Sequence, residues 1–347
     1  MKRKAWKSWE ELDRVYIVAE AGLGHDGRKD QAAALIETAA ECGADGVKFQ
    51  LFDAKRLIHK EKLETELNLQ SPNWFDQLVG LNFDPDWLPD LTQVANQAKV
   101  DLFFTPLYLE AVDQLEEHHT PYYKIASGDI TFTPLLDKVS KTRKPVIISC
   151  GLGNTSEITD SLNLFLENQC SAMLLYCISK YPTPPSMIDF AEMKNLSRVH
   201  GVPVGFSDHT QSVLSPALAV ANGAMLIEKH FTLSNKLPGG DHGMALDPVA
   251  FKRMVELIRE AEEIVQPTSL EDQEKNHAVV ARERKLAFRS LYATEKIEEN
   301  QSIDKTNSLI LRPNIGLSPF GLKEEYDLKS GKIIHAHQPI LKEDVQS

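Results

Sequence analysis

Residues 205–232, GFSDHTQSVLSPALAVANGAMLIEKHFT, contain two apolar strand-like runs separated by a helical stretch. His209 and His230 each lie where a run ends, and each follows a polar residue two positions earlier, Ser207 or Glu228. Because residues i and i+2 of a strand point to the same face, each run presents a polar group and an imidazole together. The stretch therefore predicts two neighbouring strands whose ends build one site.

The same alternation of strand-like run and helical stretch repeats from residue 15 onward. Apolar runs occupy 15–22, 45–51, 101–107, 122–128, 145–151, 171–179, 202–209 and 224–232. Amphipathic segments such as KDQAAALIETAAECG, residues 29–43, separate them. Strands that are apolar on both faces predict a parallel sheet closed into a (β/α)8 TIM barrel over residues 1–266. An open doubly wound sheet is the alternative, but no GxGxxG follows the first run.

Nearly every run becomes polar at its C-terminal end. The polar residues there are Glu20, Lys48, Gln50, Thr105, Lys124, Ser127, Ser149, Ser179, Ser207, His209, Glu228 and His230. Charged groups buried among apolar strand residues are costly unless they are paired or used. Since barrel enzymes build their active sites from the C-terminal strand ends, this pattern predicts an active site at that end of the barrel.

Three segments depart from the repeat. The connection 53–85 is long, and we expect it to carry inserted helices and to form a lid or wall over the site. Residues 267–285 are charged and predict a linker with some helix. Residues 286–347 show short β-like runs punctuated by Gly, Pro and Asn. They predict a small β-rich domain that packs on a barrel, either its own or a partner's.

The composition excludes several classes of function. The chain has 347 residues, 42% of them hydrophobic and 25% charged, which is typical of a globular protein. A formal net charge of -12 argues against binding to nucleic acid or to an anionic membrane, since both need a basic face. The four cysteines form no CxxC pair and predict buried, reduced thiols. No run is long enough to span a membrane and no signal-peptide core follows the first residues, so we expect a cytoplasmic protein.

The lysines and serines at the strand ends predict an anion site. Lys48, Lys124 and the neighbouring hydroxyls would offer charge-assisted hydrogen bonds to a phosphate or carboxylate. A salt bridge to a nearby carboxylate explains a single strand-end lysine equally well. Two lysines together with four serines favour the anion.

The histidines predict a metal site. His209 and His230 are placed to ligate one divalent ion, and Mn2+ or another exchangeable ion is favoured over a closed zinc site. Two histidines hydrogen-bonded among polar groups are the alternative. Glu20, His25 and Asp26, on and after the first strand, are candidates for proton transfer.

Motifs in all parts of the chain resemble one enzyme family. They are VAEAGLGHDG (18–27), VKFQ (47–50), YKIASGD (123–129), ISCGL (148–152), YPTP (181–184), GFSDHT (205–210), EKHFT (228–232) and PGGDH (238–242). In this order and spacing they resemble the sialic acid synthase family, which includes legionaminic, pseudaminic and spore-coat polysaccharide synthases. RSLYA and LILRPNIG, within residues 289–316, are similar to that family's antifreeze-like (SAF) domain. The resemblance implies a TIM barrel followed by a SAF domain at 286–347.

The resemblance also implies a reaction and its residues. The reaction is the metal-dependent condensation of phosphoenolpyruvate with an N-acylated mannosamine-type sugar, which gives a nonulosonic (sialic-type) acid and phosphate. The implied catalytic residues are Glu20, Lys48, Lys124 and Asp129. The implied substrate-binding residues are Gln50, Thr105, Ser127, Ser149, Ser179, Tyr181, Ser207, Glu228, Asp241 and Arg312. His209 and His230 would bind Mn2+ or another exchangeable cation such as Mg2+, and Arg312 would come from the other subunit of a domain-swapped homodimer.

Four positions depart from the commonest pattern of that family. Gly24 stands where an Asn usually precedes the histidine, and Asp129 stands where Glu is frequent. Cys150 replaces a Thr, and Ser179 replaces an Asn found in some members. Gly24 and Asp129 bear on the identity of the sugar more than on the reaction.

Two other functions remain open from the sequence. One is a different metal-assisted aldol-type TIM-barrel enzyme with a keto-acid donor, and the other is a non-catalytic sugar-binding relative. A non-catalytic protein has no need for Lys48, Lys124, His209 and His230 together, so the sequence favours an enzyme.

Overall fold

The apolar runs form eight parallel strands that close into a barrel in sequence order, as predicted. A computed structural model describes residues 8–67, 73–239, 241–266, 270–323, 326 and 328–346. The strands are β1 (Tyr16–Gly22), β2 (Gly46–Leu51), β3 (Asp101–Pro106), β4 (Tyr123–Ile125), β5 (Val146–Ser149), β6 (Ala172–Cys177), β7 (Val204–Asp208) and β8 (Leu226–His230). The predicted (β/α)8 barrel is confirmed.

Helices connect the strands and cover the outside of the barrel. They are α1 (Lys29–Glu41), α2 (Ala54–Leu57), α3 (Lys60–Glu66), α4 (Trp74–Val79), α5 (Leu88–Ala98), α6 (Leu109–Glu117), α7 (Thr133–Ser140), α8 (Thr155–Glu167), α9 (Phe190–His200), α10 (Ser215–Ala221) and α11 (Pro248–Val265). Val47 and Phe49 of β2 belong to the same buried cluster as Leu35 of α1. Alternate residues of a strand share a face, so Lys48 and Gln50 of the same strand point into the barrel.

The interior of the barrel has two levels. The level at the N-terminal strand ends is apolar and is filled by Trp9, Tyr16, Val18, Phe103, Tyr122, Ile147, Met173, Leu175 and Leu226. Trp9 closes this end, and its indole Nε1 donates to the carbonyl oxygen of Val146 at 3.0 Å. Two residues further along the strands, the inward side chains become polar, as in the step from Tyr122 to Lys124. The apolar level supports the polar one above it.

The connection 53–85 carries α2, α3 and α4, which agrees with the predicted helices. Phe75 of α4 packs in one cluster with Leu107, Leu23 and Ala126. Since Leu23 and Ala126 also line the cavity described below, the segment supports one wall of that cavity. Residues 68–72 lie outside the described residues, and closure of the segment as a lid stays a prediction.

The second compact unit comprises residues 267–347, and the first comprises residues 1–266. Helix was expected within the predicted linker at 267–285, and α12 (Leu270–Ala287) lies there, while 267–269 lie outside the described residues. The sequence of α12 contains neither Gly nor Pro and is rich in Glu, Arg, Lys and Ala, which favours helix. The role of this segment as a linker stays a prediction.

The rest of this unit is β-rich, as expected. Strand β9 (Ser290–Ala293) pairs with β11 (Ser308–Leu311), and β10 (Ser302–Ile303) pairs with β12 (Leu328–Lys329), both antiparallel. A small core forms from Leu291, Ala293, Ile297, Ile303, Ile334 and Ile340. The unit therefore has its own core, and its assignment as a SAF domain stays a prediction.

The remaining sequence predictions concern membranes and thiols. Within the described ranges, no helix combines the length and the apolar character that crossing a membrane requires. All four cysteines are buried free thiols, as predicted. Residues 1–7, where the sequence showed no signal-peptide core, lie outside the described residues.

Candidate active site

A cavity of about 540 Å³ lies at the C-terminal ends of the barrel strands. Its lining includes Glu20, Lys48, Gln50, Thr105, Lys124, Ser127, Ser149, Ser179, Tyr181, Ser207, His209, Glu228, His230 and Asp241. Among the site residues expected within the barrel unit, the structure thus brings together all except His25, Asp26 and Asp129. All eight strands contribute at their last residues or just after them, because each polar residue continues the inward face of its strand.

Two buried lysines form the cationic part of the cavity. The Lys48 ammonium lies 2.5 Å from Oε2 of Glu20 and donates to Oγ1 of Thr105 at 3.2 Å. The Lys124 ammonium lies 3.5 Å from Oε1 of Glu228. Each lysine therefore forms a salt bridge with a nearby carboxylate, which was the alternative to an anion site, and each also faces the cavity. Their charges are available to an anion that enters.

The two glutamates of the cavity have opposite pKa shifts. Burial raises the pKa of Glu20, although the Lys48 ammonium opposes this effect. Burial alone would also raise the pKa of Glu228, but Lys124 and Lys48 outweigh it and lower that pKa to about 2. Ser207 Oγ adds a hydrogen bond to Glu228 Oε1 at 2.9 Å. Glu20 is therefore the carboxyl group suited to carry a proton, while Glu228 stays charged.

His209 and His230 face each other with ring centroids 5.6 Å apart. His209 Nδ1 lies 2.7 Å from the carbonyl oxygen of Ile178, which can only accept, so Nδ1 carries the proton and Nε2 keeps its lone pair. Burial lowers the pKa of both histidines. In the part of the chain that the structure describes, no group of three His, Cys, Asp or Glu side chains is arranged to hold a metal. The pair could hold an ion only with substrate or water as further ligands.

At the end of β1, Gly22 leaves space for the loop that carries Asp241. The pairing of β1 with β2 shifts register between Glu20 and Gly22, and Gly22 has a φ of +51°. A Cβ on Gly22 would lie 3.0 Å from Oδ2 of Asp241 and 3.3 Å from Oε1 of Glu20. Gly22 therefore allows both the positive φ and the close approach of Asp241 to the cavity.

His25 and Asp26 lie outside the cavity, which corrects the prediction of proton transfer by either. The His25 ring is fully buried, with centroids 5.5 Å and 5.6 Å from those of Phe83 and Trp87, and burial lowers its pKa to about 4. The Asp26 carboxylate lies 3.0 Å from His242 Nε2, next to Asp241 in sequence. Both residues contact loop residues, and neither lines the cavity.

Asp129 is a third expected residue of the barrel unit that does not line the cavity. Asp129 ends a 3-10 turn, Ser127–Asp129, so the alternation that would place it beside Ser127 in a strand does not hold there. Asp129 is half-buried, and burial raises its pKa to about 6. Arg312 directly follows β11 in the second unit and is exposed.

The cavity also contains residues that the sequence did not indicate. They are Leu23, Ala126, Cys177, Pro182, Gln211, Gly243 and Met244. Cys177 was detectable, since it follows Leu175 by two positions on the inward face of β6. The others lie in loops, where no strand period applies. Gln211 and Gly243 connect two of these loops through a 3.0 Å hydrogen bond from the Gln211 amide to the Gly243 carbonyl.

Comparison with known proteins identifies the family. Residues 35–269 match the model of the NeuB family. The chain belongs to the NeuB family. It is 34% identical to the spore coat polysaccharide biosynthesis protein SpsE of Bacillus subtilis, over 90% of this chain and 87% of that protein. It is 33% identical to an N,N'-diacetyllegionaminic acid synthase of Legionella pneumophila, over 88% of this chain and 87% of that protein.

A solved structure also shows the similarity of this NeuB-family chain to proteins named as sialic-type acid synthases. The N-acetylneuraminic acid (sialic acid) synthetase of Leptospira borgpetersenii, in complex with citrate, superposes with a TM-score of 0.68 at 28% identity. The match covers 79% of this chain and 94% of that one. The family expected from the sequence motifs is thus confirmed.

Proposed function

We propose that the chain condenses phosphoenolpyruvate with an N-acylated mannosamine-type sugar, in the presence of a divalent ion, to give a nonulosonic acid and phosphate. The observation that carries this proposal is the presence of two buried lysines and two histidines in one cavity. Membership of the NeuB family and similarity to proteins named as legionaminic acid and N-acetylneuraminic acid synthases support it.

The lysine side of the cavity is assigned to the phosphate and carboxylate of phosphoenolpyruvate. Lys48 and Lys124 supply two ammonium groups with little exposure to solvent, where charge-assisted hydrogen bonds are stronger than in water. The hydroxyls assigned to the same anion are those of Thr105, Ser127, Ser149, Ser179 and Ser207. An acidic protein thereby attracts an anion through local cations.

His209 and His230 are assigned to the divalent ion. The Ile178 carbonyl fixes the His209 tautomer, which leaves Nε2 as the ligand atom. Two protein ligands leave positions for substrate and water, which suits Mn2+ or Mg2+ better than a closed zinc site. When bound, the ion would supply Lewis acidity that polarises the sugar aldehyde.

The reaction balances as phosphoenolpyruvate, sugar and water to nonulosonic acid and phosphate. C3 of phosphoenolpyruvate attacks the aldehyde carbon, water adds at the C2 cation, and the tetrahedral intermediate expels phosphate by C–O cleavage. Glu20 is assigned to the proton of that water, because its raised pKa suits a group that takes up and releases a proton. Glu228 remains ionised and would stabilise positive charge on the reacting carbon.

The sugar hydroxyls are assigned to Gln50, Tyr181 and Asp241. Gln50 donates its amide to Glu20 Oε1 at 3.2 Å, so its carbonyl oxygen is directed to other partners. The Tyr181 side chain is exposed at the cavity, and its ring stacks near His209 with centroids 4.1 Å apart. These groups would recognise a polyhydroxylated acceptor next to the ion.

The direct test is release of phosphate from phosphoenolpyruvate by the purified chain. Release is expected only when an amino sugar and Mn2+ are both present, and N-acetylmannosamine should be compared with 2,4-diacetamido sugars. His209→Ala is expected to lose activity by at least about 10²-fold, and His59→Ala, at an exposed position, is the matched control. Release without sugar would contradict the condensation.

We further propose that the chain acts as a domain-swapped homodimer in which Arg312 of one subunit reaches the N-acyl group of the sugar bound to the other. Arg312→Ala should raise the sugar KM by about ten-fold or more, with little change in the phosphoenolpyruvate KM. Mixed dimers of Arg312→Ala and His209→Ala chains, assayed at a sugar concentration well below the raised KM, should regain part of the activity, since one site then has both residues. No recovery on mixing would contradict the swap.

A further inference from the structure

Asp208 and Lys229 form a buried ion pair on the outer face of the barrel, directly beside the two histidines. They are register partners on β7 and β8, one residue before His209 and His230. Neighbouring residues of a strand point to opposite faces, so this pair points away from the cavity while the histidines point into it. The Lys229 and Asp208 side chains are 1% and 0% exposed.

The hydrogen bonds of the pair are saturated. Lys229 Nζ donates to Asp208 Oδ2 at 2.7 Å, to the Thr210 carbonyl oxygen at 2.5 Å and to Thr210 Oγ1 at 3.3 Å. Asp208 Oδ1 accepts the backbone N–H of Thr210 at 2.8 Å, and Oδ2 accepts the Ser215 hydroxyl at 2.6 Å. Ser215 begins α10, so the network also connects the strands to the helix between them.

Such a pair is better suited to fixing geometry than to raising stability. Two charges removed from water lose their hydration, and buried ion pairs are often no more stabilising than apolar side chains of similar size. Each of these hydrogen bonds is directional, however, and each fixes one backbone segment relative to another. The segments fixed here are those that carry the histidines.

We propose that the Asp208–Lys229 pair positions the two imidazoles for a shared metal ion. Lys229 is anchored in β8 one residue before His230. Its ammonium holds the chain on both sides of His209 at the end of β7, through the Asp208 carboxylate before it and the Thr210 carbonyl after it. One side chain thereby sets the spacing of the two histidine-bearing strands. This inference rests on the proposed function, because it requires the histidines to bind the ion.

The test combines Asp208→Asn with Lys229→Met, which removes both charges and keeps the side chains similar in size. The full-length wild type and the double variant are titrated with Mn2+, and the free ion is measured by its EPR signal. The Kd of the double variant is expected to rise roughly 10- to 100-fold, with little change in thermal midpoint because both charges are removed together. An unchanged Kd would overturn the positioning role.

The proposed metal site needs its own control. His209→Ala is titrated in the same way as the wild type. If the wild type binds Mn2+ no more tightly than His209→Ala, the metal site is overturned and the positioning role with it. If binding depends on His209 but the double variant keeps the wild-type Kd, the positioning role alone is overturned.

Ser215→Ala gives a second, milder test that does not depend on folding of the double variant. It removes one hydrogen bond to Asp208 and leaves the charges paired, so the Mn2+ Kd should rise roughly two- to five-fold. Ser140→Ala removes another buried serine, which donates to the Asp137 carbonyl at 2.9 Å in α7, and should leave the Kd unchanged. Equal Kd values for the two serine variants would overturn the proposal.

Discussion

Glu20 and Glu228 show how neighbouring residues acquire different roles from their charge environment. Both are buried, and both face the Lys48 ammonium, at 2.5 Å and 3.8 Å. Glu228 has Lys124 as a second cation at 3.5 Å, so its pKa is lowered. Burial dominates at Glu20 and raises its pKa. The number of cations beside each carboxylate thus separates a proton carrier from a fixed charge.

At this scale we predict that Glu20→Gln lowers kcat by about 10²- to 10⁴-fold, because an amide cannot take up the proton of the attacking water. The phosphoenolpyruvate KM should change little. Glu228→Gln should instead leave this KM unchanged or lower it, since a negative charge beside the bound anion is lost. Steady-state phosphate release measures both, with the exposed Glu66→Gln as control. A Glu20→Gln enzyme with more than a tenth of the wild-type kcat would contradict the role.

Single residues were predictable from the sequence where a strand positions them. Ser207 and His209 were expected on one face because they are two positions apart on an apolar strand, and both line the cavity. Asp129 was misplaced because the chain turns after Ser127. Met244 was missed because no periodic pattern marks a loop residue that folds back over a strand end.

The loop after β1 is an element whose structure depends on His25. The backbone N–H of Gly27 donates to His25 Nδ1 at 3.0 Å, so the proton of the neutral ring is on Nε2. Nε2 has no hydrogen-bond partner among the described residues, and the Phe83 and Trp87 rings are close to it. A Cβ on Gly27 would lie 2.2 Å from the Gly80 carbonyl oxygen, so the loop packs tightly on the segment after α4. A charged imidazole is therefore disfavoured in this element.

We predict that this element makes stability fall with acidity. Unfolded His25 takes up a proton near pH 6.5, but the folded chain does so only near its lowered pKa of about 4. The contribution of neutral His25 to the free energy of unfolding is complete above pH 6.5. It declines as the pH falls toward 4, by up to about 3 kcal/mol. Urea unfolding at several pH values measures it. His25→Asn, which keeps an acceptor for Gly27, should show a shallower pH dependence than the wild type.

The exposed His59→Asn is the matched control for this prediction and should keep the wild-type pH dependence. If the free energies of unfolding of His25→Asn and the wild type fall equally between pH 6.5 and pH 4, burial of His25 is not the cause of the pH dependence.

The elements themselves were predictable to different degrees. All eight strands were expected because they are apolar runs with polar ends, and their order follows from the right-handed βαβ connection. The bounds of helix α12 were not predictable, because its charged surface gave no apolar period, although its residue propensities favour helix. The register shift at Gly22 occurs beside Asp241, which is more than two hundred positions away in sequence, so no local pattern could indicate this contact.

At the scale of the whole molecule, Trp9 closes the barrel at the end opposite the cavity. It is fully buried, its ring lies 5.3 Å from that of Tyr122, and its backbone N–H donates to Ser171 Oγ at 3.0 Å. The apolar level that it completes contains interior residues of β1, β3, β5, β6 and β8. This apolar part of the interior and the candidate active site are therefore located at opposite ends of the barrel.

We predict that Trp9→Ala lowers the free energy of unfolding by about 3 to 5 kcal/mol, because a large buried ring is removed from a closed interior. The kcat of the remaining folded protein should stay close to wild type. Urea unfolding and phosphate release measure the two quantities, and Val249→Ala, 80% exposed, should cost less than about 0.5 kcal/mol. A large loss of kcat in fully folded Trp9→Ala protein would contradict the independence of the cavity from the apolar end of the barrel.

The apolar interior residues and the polar cavity residues lie on the same, inward face of the strands. This arrangement limits which misfolded forms of the protein can keep activity. A strand displaced by one residue would turn its apolar interior residues outward and, at the same time, remove its polar residues from the cavity. A molecule with one misaligned strand would thus lose both its core and its catalytic groups, so partly active misfolded forms are not expected. Specific activity should then report the fraction of correctly assembled molecules in any preparation of this protein.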